Sequence, residues 1–146
     1  MEIRETLTRK SLELGGTPLT SDGQTLLIDA GRTTVLKHGT VLGQIIASGK
    51  WKPFNPVATD GAATNVGIYY GEDLPVAKIT AGDVTNLPII VGGELLILNE
   101  SSITVENSAT LDTAIGTGVT ITSLRNVLYS KGIFPATVQN VYEGAY

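Results

Sequence analysis

The feature that most restricts what this chain can fold into is its punctuation. Seventeen glycines fall mostly between short apolar runs, and none of those runs approaches the ~20 residues needed to cross a bilayer as a helix. Runs this short, closed by Gly, Asn and Asp, are the pattern of strands joined by tight turns. The signal becomes dense from Gln24. TLLID (25–29) leads to a turn at Ala30-Gly31, TTVLK (33–37) to a turn at His38-Gly39, and TVLGQIIAS (40–48) to Gly49-Lys50 and WKPF (51–54). Asp60-Gly61 is a hairpin signal, because both central residues of a type I′ turn need positive φ. NVGIYY (65–70), LPVAKI (74–79) and VTNLPIIV (84–91) follow as strands, and Gly92-Gly93 predicts a second tight hairpin into ELLILN (94–99).

Residues 100–121 are rich in Ser, Thr, Asn and Gly and read as loop, with a short strand at 103–106. One helix is expected from about Ser123 to Lys131. Thr122 or Ser123 can cap it, Leu124, Val127 and Leu128 share a face, and Gly132 suits the left-handed residue after its end. IFPATVQNV (133–141) returns to an extended pattern. The expected fold is mainly β with one short helix, an α+β arrangement.

Residues 1–20 read differently. Glu2, Glu5 and Glu13 alternate with Arg4, Arg9 and Lys10, the aliphatics keep no sustained period, and Gly15-Gly16 and Pro18 interrupt any continuing element. The expected organisation is an N-terminal arm over 1–20, disordered until bound, and a single β-rich domain over 21–146. Leucines in a solvated tail have no purpose unless the tail orders on a partner.

Composition excludes several functions. The net charge is −4 with only 10 basic residues, and these are scattered, so no stretch can neutralise a phosphate backbone and direct nucleic-acid binding is not expected. The start, MEIRETLTRK, lacks the apolar core of a signal peptide, so the chain is expected to be made in the cytoplasm and not to engage a membrane. With one histidine and no cysteine, neither a zinc site nor thiolate chemistry is expected. His38 lies in a predicted turn, and Glu72-Asp73 beside Gly71 reads as turn solvation, not acid–base machinery. Gly43…Gly49-Lys50 departs from a phosphate loop by one residue too many, with Trp51 where Ser or Thr should hold magnesium. The expectation is a non-enzyme with no catalytic residue, cofactor or metal.

One stretch carries more specific information. In VLGQIIASGKWKPFNPVATDGAATNVGIYYGEDL (41–74), Leu42-Gly43 is followed by Ala47-Ser48-Gly49 before Trp51. Thr59-Asp60-Gly61-Ala62-Ala63, Val66-Gly67-Ile68 and Glu72-Asp73 come next. In this order and spacing the chain resembles the lambda-type phage head decoration protein family, and LRNVLYSKGIFP (124–135) is similar to that family's C-terminal helix and last strand. The resemblance implies a β-clip-like homotrimer on the outer surface of the expanded head. There it would bind the major capsid protein and stabilise the capsid against internal DNA pressure, as a structural part of the virion. It implies an arm that adds a strand to the capsid protein, with Leu7, Leu12, Leu14 and Pro18 as its candidate contacts and Leu12 and Leu14 on one face. Candidate apolar anchors of the trimer interface are Trp51, Tyr69 and Phe134. The polar stretch 100–121 departs from compact members of the family and is expected as a surface excursion. A phage tail or baseplate accessory domain is the main alternative. LLIDAG (26–31) is also similar to a motif of trimeric dUTP nucleotidohydrolases, but the Arg-Ser-Ser stretch and Gly-rich C-terminal arm of those enzymes have no counterpart here.

Overall fold

The computed structural model describes residues 12–115 and 122–137. Among these residues eight strands, two short helices and one 3-10 turn follow in order. β1 is Glu13–Leu26, β2 Val41–Gln44, β3 Trp51–Pro53 and β4 Val66–Tyr69. α1 (Val76–Ala81) precedes the long β5 (Val84–Asn99), and a 3-10 turn follows at Glu100–Ser102. β6 (Ala114–Ile115) pairs with β7 (Thr122–Ser123), and α2 (Leu124–Ser130) leads into β8 (Ile133–Ala136). The fold is mainly β.

The main sheet runs β1-β3-β2-β4-β5-β8, and β1 also pairs with β5. Strands β1, β3, β2, β4 and β5 therefore close into a ring. Its seam is a single parallel step at Leu26 and Trp51, where Leu27 N–H donates to the Trp51 carbonyl at 2.8 Å. Leu26, Trp51, Leu42, Tyr69, Leu87 and Ile89 come from all five ring strands and pack as one buried cluster, which fills the ring and takes in Ile79 of α1. The alternate residues Val41, Val66, Ile68 and Ile90 face a second cluster, closed by Leu124 and Leu128 of α2 and by Ile133. The central strands are thus buried on both faces, which is why they read as continuous apolar runs without alternation.

α2 begins as its sequence predicts. The Ser123 side chain accepts from Asn126 N–H at 3.2 Å, and Gly132 takes φ +80° after the helix. Elsewhere the punctuation means something other than expected. Gly92-Gly93 makes no hairpin, since β5 runs straight through it. The glycines are needed because the Lys131-Gly132 turn presses on the strand: Gly93 N–H donates to the Lys131 carbonyl at 2.9 Å, and a Cβ on Gly132 would lie 2.1 Å from the Gly93 oxygen. Asp60-Gly61 likewise sits in the loop between β3 and β4, where the Asp60 carboxylate accepts from Ala62 N–H at 3.1 Å. The expected strand at 74–79 is a bridge at Leu74, pairing with Leu36, and then α1. Pro75 supplies an extended entry residue (φ −63°, ψ 147°), after which the helix turns Ile79 inward. The expected strand at 33–37 reduces to that same Leu36 bridge.

The expected division at residue 20 is also corrected. β1 starts at Glu13 and pairs with β5 from Glu13–Leu98 to Leu26–Val84, through a series of register shifts. Gly15-Gly16 serve those shifts: Gly16 sits at φ +78° against the Leu95 backbone. Pro18 is tolerated because β1 is an edge strand, with no partner on its other side among the described residues until Leu26. The stretch 100–115 is no loose excursion either. Ala109, Leu111 and Ile115 are buried in the second cluster, and Asn107 donates to the Phe54 carbonyl at 2.8 Å.

Candidate functional site

The residues 41–74 that carry the resemblance form one structural unit, β2–β3–β4 and its loops. Gly43 lies between Lys52 and Val66 on neighbouring strands and directly against the Ala62 backbone. Trp51 Nε1–H donates to Gln24 Oε1 at 2.9 Å, tying β3 to β1. Lys52 pairs with Asp60 at 2.6 Å, and the cation holds that carboxyl below its usual range. Asp73 accepts from His38 N–H at 2.8 Å, and the His38 ring lies against Tyr70, its Nδ1 2.9 Å from the Gly71 carbonyl. Each acidic turn in the unit is therefore occupied in holding backbone. Asp29 of LLIDAG is no different, since its carboxylate accepts from Gly31 N–H at 3.2 Å.

The expected arm residues do not share one environment. Leu7 lies outside the described residues. Leu12 is buried in the second core cluster, and its carbonyl accepts from Asn99 N–H at 2.7 Å. Leu14 is exposed and Pro18 half-buried. Leu12 and Leu14 thus do not lie on one face, because the register shift at Glu13–Gly15 breaks the alternation of strand side chains. Next to Leu12, Glu13 accepts from the Tyr70 hydroxyl, which raises the phenol's pKa. The chain before residue 12 therefore departs from a firm anchor.

Of the expected interface anchors, Trp51 and Tyr69 are only 3% and 2% exposed and belong to the core of the ring. Their rings are unavailable to another chain, which corrects that assignment. Phe134 is half-buried and stacks obliquely on Tyr129, ring centres 5.4 Å apart.

The surface does hold apolar residues that pattern reading did not single out. Leu19, Leu95, Ile97 and Tyr129 are all exposed, Leu95 at 75%. Ile97 is registered with Phe134 of β8, which stacks on Tyr129, and the Leu19 side chain lies over Gly92. Leu95 holds φ +48°, a left-handed conformation that costs a leucine about 1–2 kcal/mol. The available signal was ELLILN itself, whose four successive apolar residues leave both faces of a strand hydrophobic.

On the far side of α2, the Arg125 guanidinium donates to Glu100 and, through Nε, to Asp112 at 2.9 Å, while Thr137 donates to Glu100 at 3.0 Å. This staple joins the 3-10 turn, the polar loop, α2 and the end of β8. Hydrogen bonds from Arg125 hold both carboxyls below their ordinary values of 4.5 and 3.8, and Lys50 does the same for Asp83. A depressed folded-state pKa contributes stability above the unfolded value and loses it as pH falls through the folded one. Melting temperature should therefore be insensitive to these groups near neutrality and drop progressively once pH falls below 4.5. Glu100→Gln should flatten part of that acid limb, and molar salt should weaken it because the pairs face solvent. An acid limb identical in the variant would show the staple contributes nothing.

Among the described residues no group of three His, Asp or Glu side chains stands ready to hold a metal, and no helix is long and apolar enough to cross a membrane. Asn99 is buried and accepts from both the backbone N–H and the hydroxyl of Ser101. No curated protein and no solved structure matches the chain. A family model does, over residues 14–115, from the second residue of β1 through the 41–74 unit and β5 to the end of β6, and its description is bacteriophage lambda head decoration protein D. The chain belongs to the family of that head decoration protein.

Proposed function

We propose that this protein decorates the outer surface of an expanded phage head as a homotrimer, binding the major capsid protein and stabilising the shell against the pressure of packaged DNA. Family membership over residues 14–115 is the observation that carries this reading. The attachment element is the chain before Leu12, which adds a strand to the capsid protein, with backbone hydrogen bonds for affinity and Leu7 for specificity. A buried leucine contributes ~1.5–3 kcal/mol, against ~1–2 kcal/mol of backbone entropy per ordered residue. One arm therefore holds weakly, and three on one trimer hold firmly through effective concentration.

Cosedimentation with emptied, expanded heads and with isolated tails tests the proposal. The full chain should pellet with heads and not with tails. Deleting residues 2–11, which spares the Leu12 anchor, should leave the melting temperature unchanged and abolish head binding. Deleting residues 2–16 should also lower stability, since it removes a buried leucine worth ~1.5–3 kcal/mol. Binding to tails would overturn the head assignment, and undiminished binding by the shorter deletion would place attachment elsewhere.

A further inference from the structure

We propose that Asp22 is a site of spontaneous covalent modification, where the main chain is rerouted through the side chain as isoaspartate, and that the fold shields Asp60 from the same chemistry. The reaction needs an aspartate followed by a residue small enough for its backbone nitrogen to reach the carboxyl carbon. The Gly23 nitrogen attacks Cγ of the neutral Asp22 acid, the N–H proton and the carboxyl hydroxyl leave together as water, and a five-membered succinimide forms. Water then adds to one of the two ring carbonyls. Opening at the Asp22 main-chain carbon leaves Gly23 joined to Cγ, with an extra methylene in the backbone and a free α-carboxylate. Opening at Cγ restores aspartate. No oxidant, metal or enzyme is consumed, so the extent of modification grows with the age of the folded chain.

The sequence holds two Asp-Gly steps, Asp22-Gly23 and Asp60-Gly61, and the fold treats them oppositely. Both residues of the first are exposed. They lie in the register shift of β1 between Ser21 and Gln24, and neither has a partner on β5. A paired strand would resist the backbone rotation that ring closure requires, and an irregularity of this kind leaves its extra residues out of the ladder. The Gln24 side chain reaches the Asp22 main-chain carbonyl at 3.5 Å. The Asp22 carboxylate itself has no hydrogen bond or ion pair among the described residues. Gly23 sits at φ +72° with nothing within 4 Å of where a Cβ would stand. Asp60-Gly61 is held on every side. The Asp60 carboxylate accepts from Lys52 Nζ at 2.6 Å and from Ala62 N–H at 3.1 Å, and its main-chain carbonyl accepts from Ile46 N–H at 3.0 Å. The Gly61 carbonyl accepts from Asn65 N–H at 2.9 Å, and the Ile46 side chain closes over Gly61. Ring closure at Asp60 must break both bonds of the carboxylate. Those bonds also keep it ionised, and only the neutral acid can lose its hydroxyl as water.

Ageing of the full chain tests the assignment. The protein is kept warm at neutral pH for several weeks, both folded and in guanidinium chloride, and its peptides are typed by electron-transfer fragmentation, which distinguishes isoaspartate from aspartate. In the folded protein isoaspartate should accumulate at residue 22 about tenfold faster than at residue 60, or more, because ionisation leaves Asp60 little neutral acid. A transient form one water lighter should accompany it. In the unfolded chain the two steps should react at similar rates, which shows that the fold makes the difference. Asp22→Glu, whose carboxyl would have to close a six-membered ring, should bring methyl transfer by an isoaspartyl carboxyl methyltransferase down to the level of unaged protein. Equal rates at residues 22 and 60 in the folded protein would overturn the proposal. So would a residue 22 that stays intact when folded under conditions that modify it when unfolded, since β1 would then protect it.

Discussion

Gly43→Ala should destabilise the protein by more than about 3 kcal/mol, a large share of the 5–15 kcal/mol by which domains of this kind are stable. A Cβ at this position would lie 2.0 Å from the Ala62 carbonyl oxygen and within 2.8 Å of the Ala62 C and Cα atoms. All three are backbone, so no side chain can swing aside. Ala62 cannot retreat easily either, because Asp60 holds its N–H at 3.1 Å. Gly43 is also hemmed in by its ladder partners Lys52 and Val66 on both sides. The strands would have to separate at the centre of the sheet. Urea unfolding measures the loss, and Gly82→Ala is the control. That site is extended (φ 170°) with nothing within 4 Å of a new Cβ, so its midpoint should hardly move. Equal midpoints for the two variants would contradict the close approach.

Arg32→Ala should cost about 2–4 kcal/mol. The Arg32 side chain is 5% exposed and donates to both Glu106 oxygens, at 2.8 and 2.6 Å. It also donates to the carbonyls of Thr34 and Val35. Removing one member of a buried pair typically costs about 3–5 kcal/mol, because the other charge is left without compensation. Glu106 keeps 23% exposure, so water recovers part of that and the lower range applies. Arg32→Met combined with Glu106→Leu should restore much of the stability, since two apolar groups leave no stranded charge. A double variant as unstable as the sum of its single changes would show that the two side chains act independently.

The distinction between these sites and the readable parts of the chain is physical. Short-range signals translated directly: Ser123 caps α2, Gly132 ends it, and the uninterrupted apolar residues of β2, β4 and the middle of β5 are buried on both faces. Glycine misleads wherever its cause is distant. Gly92-Gly93 yields to a turn nearly forty residues later, and Gly15-Gly16 yields to the bulge at Leu95; local turn chemistry describes neither. VAKITA looks like a strand because Val and Ile favour strands, yet it is a helix that enters after Pro75 and adds Ile79 to the cluster inside the ring. Trp51 and Tyr69 read as interface anchors because large aromatics anchor interfaces, but a closed ring of five strands needs the same volume inside. The exposure of Leu95 is not legible, because a run of leucines looks like core until the partner strands are known.

The closure of the ring has a consequence for how the protein is made. β1 is translated before every other described strand, yet its partners run from Val84 to Leu98 and its seam is at Trp51. It must therefore wait, unpaired, through the synthesis of everything that lies between. Loop closure over such separations is slow, and strands dominated by distant pairing fold in milliseconds to seconds where local structures take microseconds. β1, translated ahead of the other described strands, is among the last of them to be locked in place. A nascent chain arrested before β5 emerges should remain open to protease along the whole of β1.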